Sequence, residues 1–132
     1  MSRIYWDSML FVYFIEDHPQ YKMRVKSILA TMHRRQDTLC ASVFTVGEVL
    51  TGPYKRGASA IVAQVKEAFR SPEVELLAFT FETSERYARI RAENRVSPAD
   101  AIHLATAAQA GVNLFLTNDR TLPNLRSPDL AQ

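Results

Sequence analysis

A chain of 132 residues, 47 % apolar and 23 % charged, has ordinary globular composition; this excludes disorder and leads us to expect one domain over residues 1–132. The formal net charge of +2 is too small to imply nucleic-acid binding by itself, although twelve Arg against four Lys favour the planar fork that suits phosphate. The single cysteine, Cys40, excludes an internal disulfide and is expected as a buried thiol; the apolar run Met9 to Ile15 is too short to span a bilayer, no basic leader opens the chain, and a cytoplasmic protein with no membrane partner is expected.

In chain order, Arg3 to Trp6 reads as a short strand ending in Asp7-Ser8, and Met9 to Glu16 as a buried helix that Ser8 can cap. Asp17-His18-Pro19 breaks the chain, after which Tyr21, Val25, Ile28, Leu29 and Met32 recur at helical spacing up to Arg35. Thr38 to Ala41 is a second strand, followed by a helix from Ser42 to Leu50 in which Thr45 and Glu48 stand three apart among apolar neighbours. Gly52-Pro53 and Gly57 punctuate a turn before the helical pattern Ile61, Val62, Val65, Phe69. Val74 to Phe79 is a third strand, and Glu82 to Arg95 a charged amphipathic helix with Tyr87, Ile90 and Val96 inward.

Ser97 to Gly111 carries the strongest helix signals: Ser97 at the N-cap, Pro98 at the first helical position and Gly111 as the stop. Its body is rich in alanine, so it can approach neighbouring backbone on more than one face. Asp100 sits where free amides and the positive end of the dipole favour a negative charge, and Ser97-x-x-Asp100 is also the spacing of a capping box. Asn113 to Leu116 is a buried strand running into Thr117-Asn118-Asp119; Pro123 and Pro128 leave a last strand over residues 122–132 short or absent.

Alternating strands and helices predict an α/β fold: a three-layer α/β/α sandwich around a parallel sheet of four to five strands. Ligands of such sheets gather at the carboxyl ends of the strands, where Asp7 and Asp119 fall, and Glu48 and Asp100 lie on helices able to face the same edge. The other ten acids stand beside charged or turn residues, where solvation accounts for them. Four converging carboxylates repel, each pair at about 5 Å and a dielectric near 20 costing roughly 3 kcal/mol, so a cation belongs between them. Hard oxygen donors without a Cys or His cluster favour Mg²⁺ or Mn²⁺, and a carboxylate-bound metal that activates water points to phosphodiester hydrolysis.

Asp7-Ser8 after the first strand, Glu48 between Thr45 and Gly52-Pro53, the run Asp100-Ala101-Ile102-His103-Leu104-Ala105-Thr106-Ala107, and Thr117-Asn118-Asp119 resemble PIN-domain ribonucleases, specifically the VapC-type toxins of toxin–antitoxin pairs. The resemblance implies a PIN-like fold, Mg²⁺-dependent endoribonuclease activity, an RNA substrate, a cognate antitoxin and a homodimer. It makes Asp7, Glu48, Asp100 and Asp119 the catalytic, metal-binding acids, supported by Thr117, Asn118 and Ser8. The chain departs from the family in its tail, where Leu122 stands in place of a usual Phe.

His103 is expected as a packed, hydrogen-bonded helix residue outside the site, because no second His or Cys completes a metal set, and Trp6 as a core residue. Two rival readings are an Mg²⁺-dependent α/β phosphatase or phosphoacceptor domain, disfavoured because the last lysine is Lys66, and a non-catalytic PIN-like domain that binds RNA or protein.

Overall fold

The structure, a computed structural model, describes residues 1–117. Four strands, β1 (Arg3–Trp6), β2 (Thr38–Ser42), β3 (Val74–Leu77) and β4 (Leu114–Leu116), form a parallel sheet in the order β3-β2-β1-β4. Helices α1 (Ser8–Ile15), α2 (Lys22–Arg35), α3 (Val43–Arg56) and α4 (Ser59–Arg70) fill the first two crossovers, and α5 (Phe81–Glu93) and α6 (Pro98–Ala110) the third. The first two crossovers step outward from β1 and the third returns to its other side, so a single handedness puts the two helix groups on opposite faces.

Strand alternation builds both cores. Ile4, Trp6, Leu39 and Ala41 point to the face holding Leu10, Phe11, Val25, Met32, Val49, Val65 and Phe69. Tyr5, Cys40, Leu77 and Phe115 point to the other, against Leu104, Ala107, Ala108 and Val112. Trp6 is therefore core, 1 % exposed, and Cys40 is a free buried thiol whose pKa burial pushes up to about 11. Ser97 caps α6 as expected, its Oγ accepting the Asp100 amide at 3.1 Å, and Gly111 ends the helix at φ +67°.

Three expectations change. Asp7, not Ser8, caps α1: its Oδ1 accepts the Ser8 amide at 2.7 Å, which ties the acid to the strand–helix junction. Gly52-Pro53 does not break the chain, because α3 runs through both to Gly57, whose φ is +64°. Proline removes only the bond back to Val49, and burial of Pro53 and Val49 outweighs that loss. Asp37 is not solvated: its side chain is 1 % exposed and accepts the Ser2 amide at 2.8 Å. The question of a fifth strand over residues 122–132 lies outside the described residues, and among those described no helix is long and apolar enough to cross a membrane.

Candidate active site

The reversal of strand order at β1 opens a crevice beyond the carboxyl ends of β1 and β4, the usual ligand position of open parallel sheets. Asp7 follows β1 directly, and its amide donates to the Leu116 carbonyl at 2.9 Å, joining the two strand ends. Thr117, the next residue of that neighbouring strand, donates its hydroxyl to Asp7 Oδ2 at 2.9 Å. Asp7 is thus clamped through both oxygens, Oδ1 by the Ser8 amide and Oδ2 by Thr117, and is 8 % exposed. The Ser8 hydroxyl lies a looser 3.4 Å from Oδ1.

Glu48 enters from α3. Ser42 accepts the Phe44 amide at 2.9 Å and starts that helix at the end of β2, so Glu48 faces the crevice about a turn and a half later. Thr45, one turn earlier, is fully buried. Asp100 is half-buried in the first turn of α6. Together Asp7, Ser8, Glu48, Asp100 and His103 line a cavity of about 320 Å³ with Met9 and Tyr13 at its side. Asn118 and Asp119 lie outside the described residues.

His103 is the residue that the sequence reading left out. It is packed and hydrogen-bonded as expected, at 2 % exposure, but its partner is a site acid: Nε2 lies 2.5 Å from Glu48 Oε1 and 3.9 Å from Asp7 Oδ1. The signal available in the sequence was its position three residues after Asp100, hence on the same helix face. A roomier hollow of about 540 Å³ beside Trp6, Phe11, Met32 and Leu39 is mainly apolar and holds none of Asp7, Glu48 and Asp100.

Hard oxygen donors around a polar cleft suit a divalent cation of the Mg²⁺ type. Among the described residues no three His, Cys, Asp or Glu side chains close into a ligand cluster, so a ready-made cage is absent from this part of the chain. An Mg²⁺ that keeps several waters needs only one or two carboxylates, and the Asp7, Glu48 and Asp100 set fits that mode. No Lys or Arg among the described residues bridges Asp7 or Glu48.

Known structures share this architecture. VapC20 of Mycobacterium tuberculosis, a toxin that cleaves the Sarcin-Ricin loop, superposes with a TM-score of 0.75 at 16 % identity, covering 89 % of this chain and 90 % of its own. VapBC2 from Rickettsia felis, solved on a DNA fragment from its promoter, gives 0.70 at 18 % identity over 90 % and 89 %. A toxin–antitoxin complex from Klebsiella pneumoniae gives 0.71 at 19 % identity over 88 % and 86 %. At these identities the likeness speaks for the fold. No curated protein sequence matches this chain. The PIN domain family model matches residues 4–127, nearly the whole sequence and every candidate site residue; the chain belongs to the PIN domain family.

Proposed function

We propose that this chain is a metal-dependent endoribonuclease of the VapC type, the toxin of a toxin–antitoxin pair, working as one domain over residues 1–132. The observation that carries the reading is the convergence of Asp7, Glu48 and Asp100 on one cleft at the strand ends of a PIN-family sheet, with no described Lys or Arg bridging Asp7 or Glu48. Its support in the neighbours is that they are toxins or toxin–antitoxin complexes.

In this reading Asp7, Glu48, Asp100 and Asp119 hold Mg²⁺ or Mn²⁺. The cation, when bound, supplies a water of lowered pKa and offsets charge on the phosphate being displaced. The protein's own part is orientation. Thr117 and the Ser8 amide fix both oxygens of Asp7, so a metal meets a carboxylate whose rotamer is already set. Asp100 stands in the first turn of α6, where the helix N-terminus favours a negative charge. Asn118 is assigned a supporting role as the sequence neighbour of Asp119.

The partners that follow are an RNA substrate in the cytoplasm, a second copy in a homodimer, and an antitoxin that blocks the cleft. A carboxylate-lined cleft favours an inhibitor segment that presents Arg, whose fork makes paired charge-assisted bonds to Asp or Glu. The test is cleavage of RNA by the purified chain: strand scission with Mg²⁺ or Mn²⁺ that stops in excess EDTA is expected. Cleavage that persists in chelator, with Asp7→Asn equally active, would refute the metal-nuclease reading.

A further inference from the structure

His103 is gripped on both ring nitrogens. Nε2 lies 2.5 Å from Glu48 Oε1, and Nδ1 lies 2.6 Å from the Tyr5 hydroxyl. The ring itself is packed edge-on between two aromatics, with centroids 5.8 Å from Tyr5 and 5.6 Å from Phe44. Tyr5 is equally fixed: it is fully buried in the middle of β1 and stacked on Phe115 at 5.1 Å. A carboxylate can only accept, so the hydrogen in the first contact belongs to Nε2. A neutral ring then offers Nδ1 as acceptor, and the Tyr5 O–H fills it. A phenol carries its proton near neutral pH, so Tyr5 has an O–H to give.

We infer that Tyr5 and His103 are positioning residues for Glu48: the Tyr5 hydroxyl fixes the His103 tautomer, and the Nε2–H so presented holds the Glu48 carboxylate at the cleft. The inference rests on the reading of Glu48 as a site acid. It accounts for a buried tyrosine hydroxyl on a core strand and a buried histidine on an alanine-rich helix, neither of which apolar packing requires. It also explains how a side chain on α3, reached by a different crossover from Asp7 and Asp100, is kept in register with them. The arrangement has the logic of a carboxylate–imidazole–hydroxyl chain, in which the outer donor decides which nitrogen faces the reacting group.

The first measurement is long-range ¹H–¹⁵N NMR of the imidazoles in the metal-free full chain near pH 8, with the signals of His18 and His33 removed by substitution. Wild type is expected to show His103 protonated on Nε2 only, and Tyr5→Phe, which keeps the ring and loses the hydroxyl, to show a mixture of tautomers. Protonation on Nδ1, on both nitrogens, or an unchanged spectrum in Tyr5→Phe would overturn the inference whether or not the chain cuts RNA. The second is a pair of variants compared in RNA cleavage. His103→Gln retains an N–H near the Nε2 position and is expected to stay within about fivefold of wild type, whereas His103→Leu loses tenfold or more in kcat with KM for RNA unchanged. Equal activity of Gln and Leu variants with matched melting temperatures would assign His103 to packing alone. A wild type that does not cut RNA would instead refute the nuclease reading, leaving the NMR result to decide the positioning.

Discussion

At the amino end of the sheet, the Asp37 carboxylate accepts the Ser2 amide at 2.8 Å and lies 3.4 Å from Arg35 Nε, while Glu75 pairs with Arg3 at 2.9 Å. At the carboxyl end, Asp7 is met by the Ser8 amide and the Thr117 hydroxyl, and Glu48 by an imidazole. Both ends order their acids through hydrogen bonds, but only the amino end adds a guanidinium among the described residues. The difference separates two uses of a carboxylate. With its charge neutralised it ties neighbouring segments together; with its rotamer fixed and no guanidinium beside it among the described residues, it is available, in the proposed reading, to a metal cation.

The comparison breaks most visibly if the two ends are exchanged in a mutational test. Asp7→Asn keeps the α1 cap, since Asn caps as well as Asp, but removes the charge. It is expected to lower RNA cleavage on the order of 10²-fold or more while the metal-free melting temperature holds or rises. A gel-based cleavage assay beside a melting curve checks both, and a large loss of stability would make Asp7 structural.

Asp37→Asn should do the reverse, leaving cleavage intact and costing roughly 1–2 kcal/mol at neutral pH, or several degrees in Tm. The Ser2 amide first, and Arg35 beside it, hold the Asp37 pKa below its ordinary value. A depressed carboxylate stabilises the fold above the unfolded value of about 3.9, and that contribution disappears as pH falls through the folded value. The gap between wild type and Asp37→Asn should therefore close in acid, and a gap that widens there would give the pKa shift the wrong sign.

A smaller effect belongs to Gly111, at φ +67° between α6 and β4 on the amino side of the sheet. Gly111→Ala places a side chain in left-handed backbone and is expected to cost about 1 kcal/mol by chemical denaturation, with cleavage unchanged. Smallest of all is Glu75→Gln. Glu75 and Arg3 are 43 % and 35 % exposed in their side chains, and solvent screening limits the loss to about 0.2–1 kcal/mol.

Much of this contrast is legible in the sequence where the determinants are local. Ser97, Pro98 and Gly111 delimit α6 by backbone chemistry alone, and Asp7 stands at a strand end because the apolar run before it is short. The misread residues depend on partners distant in sequence. Asp37 looks solvated between Arg35-Gln36 and Thr38 until the Ser2 amide, 35 residues away, is folded onto it. His103 reads as a packed helix histidine because the carboxylate it faces lies 55 residues earlier and its hydroxyl partner 98. Gly52-Pro53 carries real breaker chemistry, which tertiary burial of α3 overrides.

The central claim is that the carboxyl-end acids hold charge in reserve for a divalent cation, and the most direct test is the melting temperature of wild type, Asp7→Asn and Asp37→Asn in EDTA and in millimolar Mg²⁺. A ligand that binds only the folded state stabilises it by about 2.7 kcal/mol at a hundredfold excess over Kd. Mg²⁺ is expected to raise Tm in wild type and in Asp37→Asn by similar amounts and to leave Asp7→Asn unmoved. An equal rise in all three, or no rise in wild type, would contradict the claim.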